Sequence, residues 1–171
     1  MGEPRSPEEE GKPQSPEGHT KITRDPNTGE TIVETYCYEY GAEGRLALTQ
    51  KVISRYNKDG RLIHKTIMTT DDGGRCMSFK EQSFDPQTGN VISSEESIYD
   101  PETRRLKEFI TEVYDPQTGK IVSSERSIYD PKIRNLEEFI TEEFDPQTGK
   151  LLSRMRTIHW SNAGRLISEE I

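Results

Sequence analysis

The feature that most constrains the fold is a direct internal repeat. The segment from Asp85 to Tyr114 and the segment from Asp115 to Phe144 align without gaps, and 20 of their 30 positions carry the same residue. The pentapeptide Asp-Pro-Gln-Thr-Gly opens both units and returns at Asp145. Repeats of this length fold into supersecondary units that stack on their neighbours, so the sequence predicts an array of similar units.

The repeated pentapeptide is a turn signal. Its proline presets φ at the first corner, its aspartate can accept hydrogen bonds from the amides ahead, and its glycine supplies the positive φ that closes a four-residue loop. The closing positions recur at spacings of 15, 16, 14 and then 15 residues, and they are Gly29, Gly44, Gly60, Gly74, Gly89, Arg104, Gly119, Arg134, Gly149 and Gly164. Because arginine replaces glycine at two of them, we expect those two turns to be of a different type.

The segments between turns are rich in Ile, Thr, Val, Tyr and Phe, which is typical of strands. Turn composition alternates along the chain, which favours an up-and-down meander over a solenoid because odd turns then share one edge. We therefore predict an all-β fold: an antiparallel meander of about ten strands with 15-residue repeats, forming a single-layer, open, twisted sheet. A barrel closed on itself is the alternative. The strands are predicted at 30–40, 45–56, 61–70, 75–84, 90–99, 105–114, 120–129, 135–144, 150–160 and 165–171, with a short leading strand near 19–24.

The hairpins also predict a register. If Asp85 lies opposite Asn90, each turn is sealed by an aromatic–aliphatic pair. These pairs are Phe84–Val91, Tyr99–Leu106, Tyr114–Ile121, Tyr129–Leu136 and Phe144–Leu151. Continued inward, this register places Glu95, Ile110, Glu125, Ile140 and Met155 in one row and Glu96, Phe109, Arg126, Phe139 and Arg156 in another. Neither row is uniformly apolar, so cross-strand pairs rather than a core are expected to hold the sheet.

Composition and charge indicate how thick a core the chain can form and which partners and location to expect. Hydrophobic residues make up 29% of the chain, charged residues 32%, and the net charge is −8, so a thick core is not expected. We predict a disordered tail at 1–18, where Ser6 and Ser15 precede prolines and their phosphorylation stays open, and a meander domain at 19–171. The acidic balance argues against nucleic acid binding. The sequence has neither a membrane-spanning apolar run nor a signal-peptide core, which predicts a cytoplasmic protein with Cys37 and Cys76 as reduced thiols.

A shorter motif carries a family resemblance. The segment from Tyr56 to Leu62, Tyr-Asn-Lys-Asp-Gly-Arg-Leu, resembles the YD-repeat of the Rhs family, written Tyr-Asp-x-x-Gly-Arg-Leu. The tripeptides at Gly44 and Gly164 match its second half, and the segment beginning at Tyr114 matches the Tyr-Asp-x-x-x-Gly form. In that family the repeats form β-sheet shells that enclose or present other segments. The resemblance, which runs over about residues 24–168, therefore implies a β repeat scaffold without catalytic activity.

The residues that could carry chemistry are scattered. His19, His64 and His159 have no catalytic or zinc spacing, and the run beginning at Asp71 is expected to be a turn rather than a calcium loop. We therefore predict no catalytic, cofactor-binding or metal-binding site. Two further features stay open as interaction sites. Asp85, Asp115 and Asp145 form an acidic comb or serve their own turns, the latter being favoured, and Leu152, Met155, His159 and Trp160 form an apolar spot.

These observations predict a non-enzymatic structural or interaction scaffold. It would present a flat, repetitive β-sheet for protein binding or self-association, through a sheet face or the edge strands. The alternative is a closed barrel that binds a small ligand. Neither nucleic acid nor a membrane is expected as a partner.

Overall fold

The computed structural model of the protein describes residues 18–40, Gly44 and 46–159, and for 166–170 the backbone alone. Within these ranges every regular element is a strand. The strands are β1 (His19–Arg24), β2 (Thr31–Tyr40), β3 (Leu46–Tyr56), β4 (Leu62–Thr70), β5 (Cys76–Phe84), β6 (Val91–Tyr99), β7 (Leu106–Tyr114), β8 (Ile121–Tyr129), β9 (Leu136–Phe144), β10 (Leu151–His159) and β11 (Leu166–Glu170). No helix in this part of the chain is long and apolar enough to cross a membrane. Apart from Gly18, the predicted tail lies outside the described residues.

The strands form one sheet in which order in space equals order in the chain. Every strand pairs antiparallel with the next, and in the described ranges each strand touches only the strands before and after it. The first and last of the described strands, β1 and β11, are not paired with each other, so the sheet is open. The predicted single-layer open meander is confirmed, with the leading strand present as β1, and the alternative of a closed sheet is wrong.

The turns follow the predicted chemistry. At the β5–β6 turn the Asp85 amide donates to the Asn90 carbonyl at 2.9 Å, the Gly89 amide donates to the Asp85 carbonyl at 2.8 Å, and Gly89 has a φ of 78°. The Asp85 carboxylate accepts hydrogen bonds from the amides of Gln87 and Thr88 at 2.7 and 2.8 Å. Together these bonds fix the four-residue loop.

The expectation that Arg104 and Arg134 close turns of another type is wrong. Arg104 has a φ of 60° and Arg134 a φ of 61°, and the Arg104 amide donates to the Asp100 carbonyl at 2.8 Å, as the glycine does elsewhere. The Asp100 carboxylate also accepts from the Thr103 amide and hydroxyl at 2.7 and 2.8 Å. These bonds set the loop geometry, so arginine is held in a left-handed conformation that costs about 1 kcal/mol or more.

The register is partly as predicted. All five aromatic–aliphatic seals, Phe84–Val91 among them, are paired as expected. Beyond each seal the register shifts by one residue: Ser83 pairs with Ser93, so Ile92 is an extra residue in β6. Equivalent shifts follow the next four turns. A β-bulge inserts one residue into one strand, so the predicted rows at the strand centres are wrong by one position.

The shift reassigns the central rows. Glu96 and Arg126 flank Ile110 rather than Phe109. The observed rows are Lys80, Glu96, Ile110, Arg126, Ile140 and Arg156, and Phe79, Ser97, Phe109, Ser127, Phe139 and Thr157. Because side chains alternate between faces, these adjacent rows lie on opposite faces of the sheet.

The described residues contain almost no core. Ile140, with 7% of its surface exposed, and Ser94, with 3%, are the buried residues in this part of the chain. Ile140 lies between Arg126 and Arg156 in its row, and the aliphatic stems of arginines can cover a neighbouring apolar side chain. The sheet is therefore held by cross-strand neighbours, as the composition predicts.

Candidate binding face

The two sides of strands β5–β10 differ in chemistry. We call the side that carries the row from Lys80 to Arg156 the ion-paired face, and the side that carries the row from Phe79 to Thr157 the aromatic face. The same backbone presents both, since beyond the bulge successive residues of each strand point to opposite sides. Their side chains can therefore be compared within a single strand.

Cross-strand ion pairs hold the first of these faces together. Lys80 Nζ lies 2.9 Å from Glu96 Oε2, and the Nε of Arg154 lies 3.5 Å from Glu142 Oε1. Two further pairs, Arg126–Glu108 and Arg156–Glu138, run diagonally between neighbouring strands. The Tyr114 hydroxyl donates to Glu112 at 2.5 Å, and burial together with this bond raises the pKa of Tyr114. The charged groups of the ion-paired face are thus mostly paired with one another, although Arg154 Nε is buried and has no hydrogen-bond partner among the described residues.

Aromatic side chains mark the opposite side. Phe79, Phe109 and Phe139 stand in one row on every second strand, with Ser97 and Ser127 between them, and all five are half-buried. Tyr99 and Tyr129 lie on the intervening strands, two residues further toward the β6–β7 and β8–β9 turns. Each strand from β5 to β9 therefore adds one aromatic ring to this face, near the strand centre on β5, β7 and β9 and at the strand end on β6 and β8. No described segment packs over it.

Acidic residues form the neighbouring row. Glu81 pairs directly with Glu95, and the row continues through Thr111, Glu125, Thr141 and Met155. Glu95 and Glu125 are exposed. Among the residues whose side chains are described, none of the ion pairs includes Glu81, Glu95 or Glu125. Like charges directly opposite on neighbouring strands are destabilising, so the Glu81–Glu95 pair lowers the stability of the sheet.

A shallow cleft lies at one edge of the aromatic face. Arg105, Leu106, Tyr129 and Arg134 line a cavity of about 320 Å³ between the β6–β7 and β8–β9 turns. Arg105 Nη1 donates to the carbonyl of Lys132 at 2.6 Å, which ties the two turns together. The cleft lies beside the Tyr99–Leu106 and Tyr129–Leu136 seals and extends the apolar surface outward.

The carboxylates of the predicted acidic comb accept hydrogen bonds within their own turns. Asp115 accepts hydrogen bonds from the amides of Thr118 and Gln117 at 2.7 and 3.1 Å, and Asp145 accepts from the equivalent amides. Such bonds lower the pKa of the carboxyls of Asp85 and Asp115 below the usual 3.8. The largest contribution comes from the Thr88 amide at Asp85 and from the Thr118 amide at Asp115. Turn-to-turn bonds, such as Asn90 Nδ2 to the Pro116 carbonyl at 2.9 Å, link this edge.

The other candidates do not converge. His19 lies 6.0 Å from the Tyr36 ring, between ring centroids, while His64 and His159 lie on β4 and β10. Within the described ranges no three His, Cys, Asp or Glu side chains are placed to hold a metal ion. Cys37 and Cys76 are free thiols, and partial burial raises the pKa of Cys76.

Two further sequence candidates are turn and surface features. The Asp71 carboxylate accepts from the amides of Gly73 and Arg75 at 2.9 Å each, as the turn interpretation predicts. Trp160 of the predicted apolar spot lies outside the described residues. Leu152 and Met155 are 63% and 42% exposed.

No known protein family and no curated protein matches the chain. Among solved structures, a protein of unknown function from Bacteroides fragilis is 12% identical, with 91% of each chain covered and a TM-score of 0.24. A porin-like protein from Bacteroides uniformis is 11% identical, with 90% of this chain and 92% of the other covered and a TM-score of 0.21. At these TM-scores neither likeness bears on what this chain does.

Proposed function

We propose that this chain is a non-enzymatic interaction scaffold and that the aromatic face of β5–β10 binds a protein partner. The observation that supports this most is the aromatic ring on each strand from β5 to β9, on a face over which no described segment packs. Aromatic residues are enriched at protein interfaces and dominate their binding energy. The ion-paired face, by contrast, has its charges engaged within the sheet.

The size of the face suits such a role. Six strands at about 4.8 Å and four side-chain rows at about 6.7 Å cover roughly 29 by 27 Å, or about 800 Å². A standard protein–protein interface buries about 800 Å² on each partner. One partner of ordinary size could therefore cover the aromatic face of β5–β10 completely.

Two sequence features agree with this proposal. The turns resemble YD-repeats, whose sheets present other segments, and we propose the same presenting role here. The free thiols Cys37 and Cys76 fit the cytoplasmic location that we propose for the protein.

The proposal is tested by comparing the two faces in a capture experiment. The wild-type protein, a Phe109→Ser/Phe139→Ser variant and a Glu96→Gln/Arg126→Gln variant are immobilised separately. We expect a partner that the wild type and the ion-paired-face variant both retain, and that the double phenylalanine variant loses. Equal retention by the wild type and both variants, each verified as folded by circular dichroism, contradicts the proposal.

Self-association is the second candidate, and the first strand favours it. All six residues of β1 are exposed, Ile22 to 68%, and among the described strands only β2 pairs with it. An unpaired edge can accept a further strand, although the charges of Lys21 and Arg24 oppose this. A dilution series by light scattering should show a dimer that dissociates on dilution, and a monomer at every concentration rules this candidate out.

A further inference from the structure

The spacing of the aromatic face points to the kind of partner. Resting on the proposed function above, we infer that this face takes a proline-rich segment in the polyproline II conformation, with a lysine or arginine between successive prolines. The segment would lie across the strands, along the row that contains Phe79, Phe109 and Phe139. Aromatic-lined surfaces are a recurrent way to bind preformed polyproline II chains.

The periods of the two partners agree. Strands lie about 4.8 Å apart, so phenylalanines on every second strand recur at about 9.6 Å. A polyproline II helix has three residues per turn and rises about 3.1 Å per residue, so every third residue recurs at about 9.3 Å. Over the three phenylalanines the mismatch accumulates to less than about 1 Å, and three prolines spaced by three can each contact one ring.

The acidic row sets the charge of the residues between the prolines. Glu95 lies on β6, between the strands of Phe79 and Phe109, and Glu125 lies on β8, between the strands of Phe109 and Phe139. Both carboxylates are exposed, and both stand two residues along the strand from the aromatic row, at about 6.7 Å. A basic side chain placed between two prolines reaches one of these carboxylates, and it relieves the repulsion between Glu81 and Glu95.

Two other occupants fit less well. The sequence at 1–17 has prolines three apart, at Pro4 and Pro7 and again at Pro13 and Pro16, but its five glutamates and two basic residues give 2 − 5 = −3. A second copy packed aromatic face to aromatic face would place one acidic row against another. Charge complementarity therefore favours a basic partner over either part of this protein.

Peptide binding to the 171-residue chain provides the test. The probe is a fluorescein-labelled peptide of three Pro-Lys-Thr triplets and a final proline, measured by fluorescence anisotropy. One control peptide has the same composition with its prolines adjacent, and another has glutamate in place of lysine. We expect both controls to bind about tenfold more weakly or worse, and binding of the basic peptide to weaken as salt is raised.

Paired variants locate the binding. Glu95 and Glu96 are neighbours on opposite faces, so Glu95→Gln and Glu96→Gln remove the same charge from different sides. We expect Glu95→Gln to weaken the basic peptide about threefold and Glu96→Gln to leave its affinity unchanged. Phe109→Ser is expected to weaken it about tenfold, since serine already occupies alternate positions of the same row.

The outcomes separate the inference from the function. Equal affinity for the lysine and glutamate peptides, equal effects of the two glutamine variants, or equally tight binding of a peptide of residues 1–17 overturns the inference. If the capture experiment still yields a partner that depends on Phe109 and Phe139, the scaffold function stands and only the partner chemistry is wrong. If it yields none, the function itself fails.

Discussion

On the ion-paired face, the central lysine and arginines of β5–β10 contact glutamates on neighbouring strands, whereas on the aromatic face the central glutamates have no described cation beside them. The two faces are separated only by the thickness of one backbone and belong to the same 30-residue repeats. In this one-layer sheet the charged side chains of β5–β10 are therefore paired mainly on one face. The other face is left with polar and aromatic groups that a partner can use.

The comparison predicts that neighbouring residues on opposite faces differ in their importance for stability. Ile140→Ala should lower the free energy of unfolding by about 2 kcal/mol, because Ile140 is nearly buried between arginine stems. Phe139→Ser should cost less, about 1 kcal/mol, because Phe139 is half exposed and lies between Ser127 and Thr157. Urea unfolding followed by circular dichroism measures both, and a larger loss for Phe139→Ser would make the aromatic face structural.

A smaller effect is expected at the turns, on which both faces depend for their register. Asp115→Ala removes the acceptor for the Thr118 and Gln117 amides and should lower the thermal midpoint by several degrees at pH 7. Asp115→Asn keeps an acceptor oxygen and should lower it less, as Asn57 serves its own turn through Oδ1. Equal losses for alanine and asparagine would show that the carboxylate does not act through these bonds.

The same aspartates give the stability a pH dependence of defined sign. The folded pKa of Asp115 lies below 3.8, lowered first by the Thr118 amide, so the ionised form is favoured by folding. Its stabilisation is present above the unfolded pKa and is lost as pH falls through the folded pKa. Thermal midpoints measured from pH 7 to pH 2 should therefore fall below about pH 4, and less steeply in Asp115→Asn. The same slope in both proteins would contradict this assignment.

These local features were predictable to different degrees. The Phe84–Val91 seal and the positive φ of Gly89 follow from turn chemistry, which the sequence displays directly. The pairing of Glu96 with Ile110 does not, because it is set by the extra residue Lys107 that follows the Tyr99–Leu106 seal, and nothing in its residue type marks a bulge. One extra residue shifts the pairing of every row beyond it by one position. The residues that share a face across the strands therefore change, and the division into an ion-paired and an aromatic face could not be predicted from the sequence.

Arg134 tests whether the edge of the aromatic face is strained. It lines the cleft beside Tyr129 with a φ of 61°. Six described turns with the same loop pattern or its shorter form carry glycine at this position. Arg134→Gly should stabilise the protein by about 0.5–1 kcal/mol, because glycine adopts this φ without steric cost. Arg105→Gln, which keeps the backbone unstrained, is the control and should not stabilise. A loss of stability in Arg134→Gly would show that its side chain contributes more than the strain removes.

The smallest effect is also the most direct comparison of the faces. Glu96→Gln removes the partner of Lys80 and should destabilise by a few tenths of a kcal/mol, as expected for a partly exposed ion pair. Glu95→Gln removes a charge directly opposite Glu81 and should stabilise by a similar amount. Added salt should reduce both differences, because it screens attraction and repulsion alike. If both variants changed stability in the same direction, overall net charge rather than the pairing on each face would govern it, and the acidic row would lose its significance as surface left open for a partner.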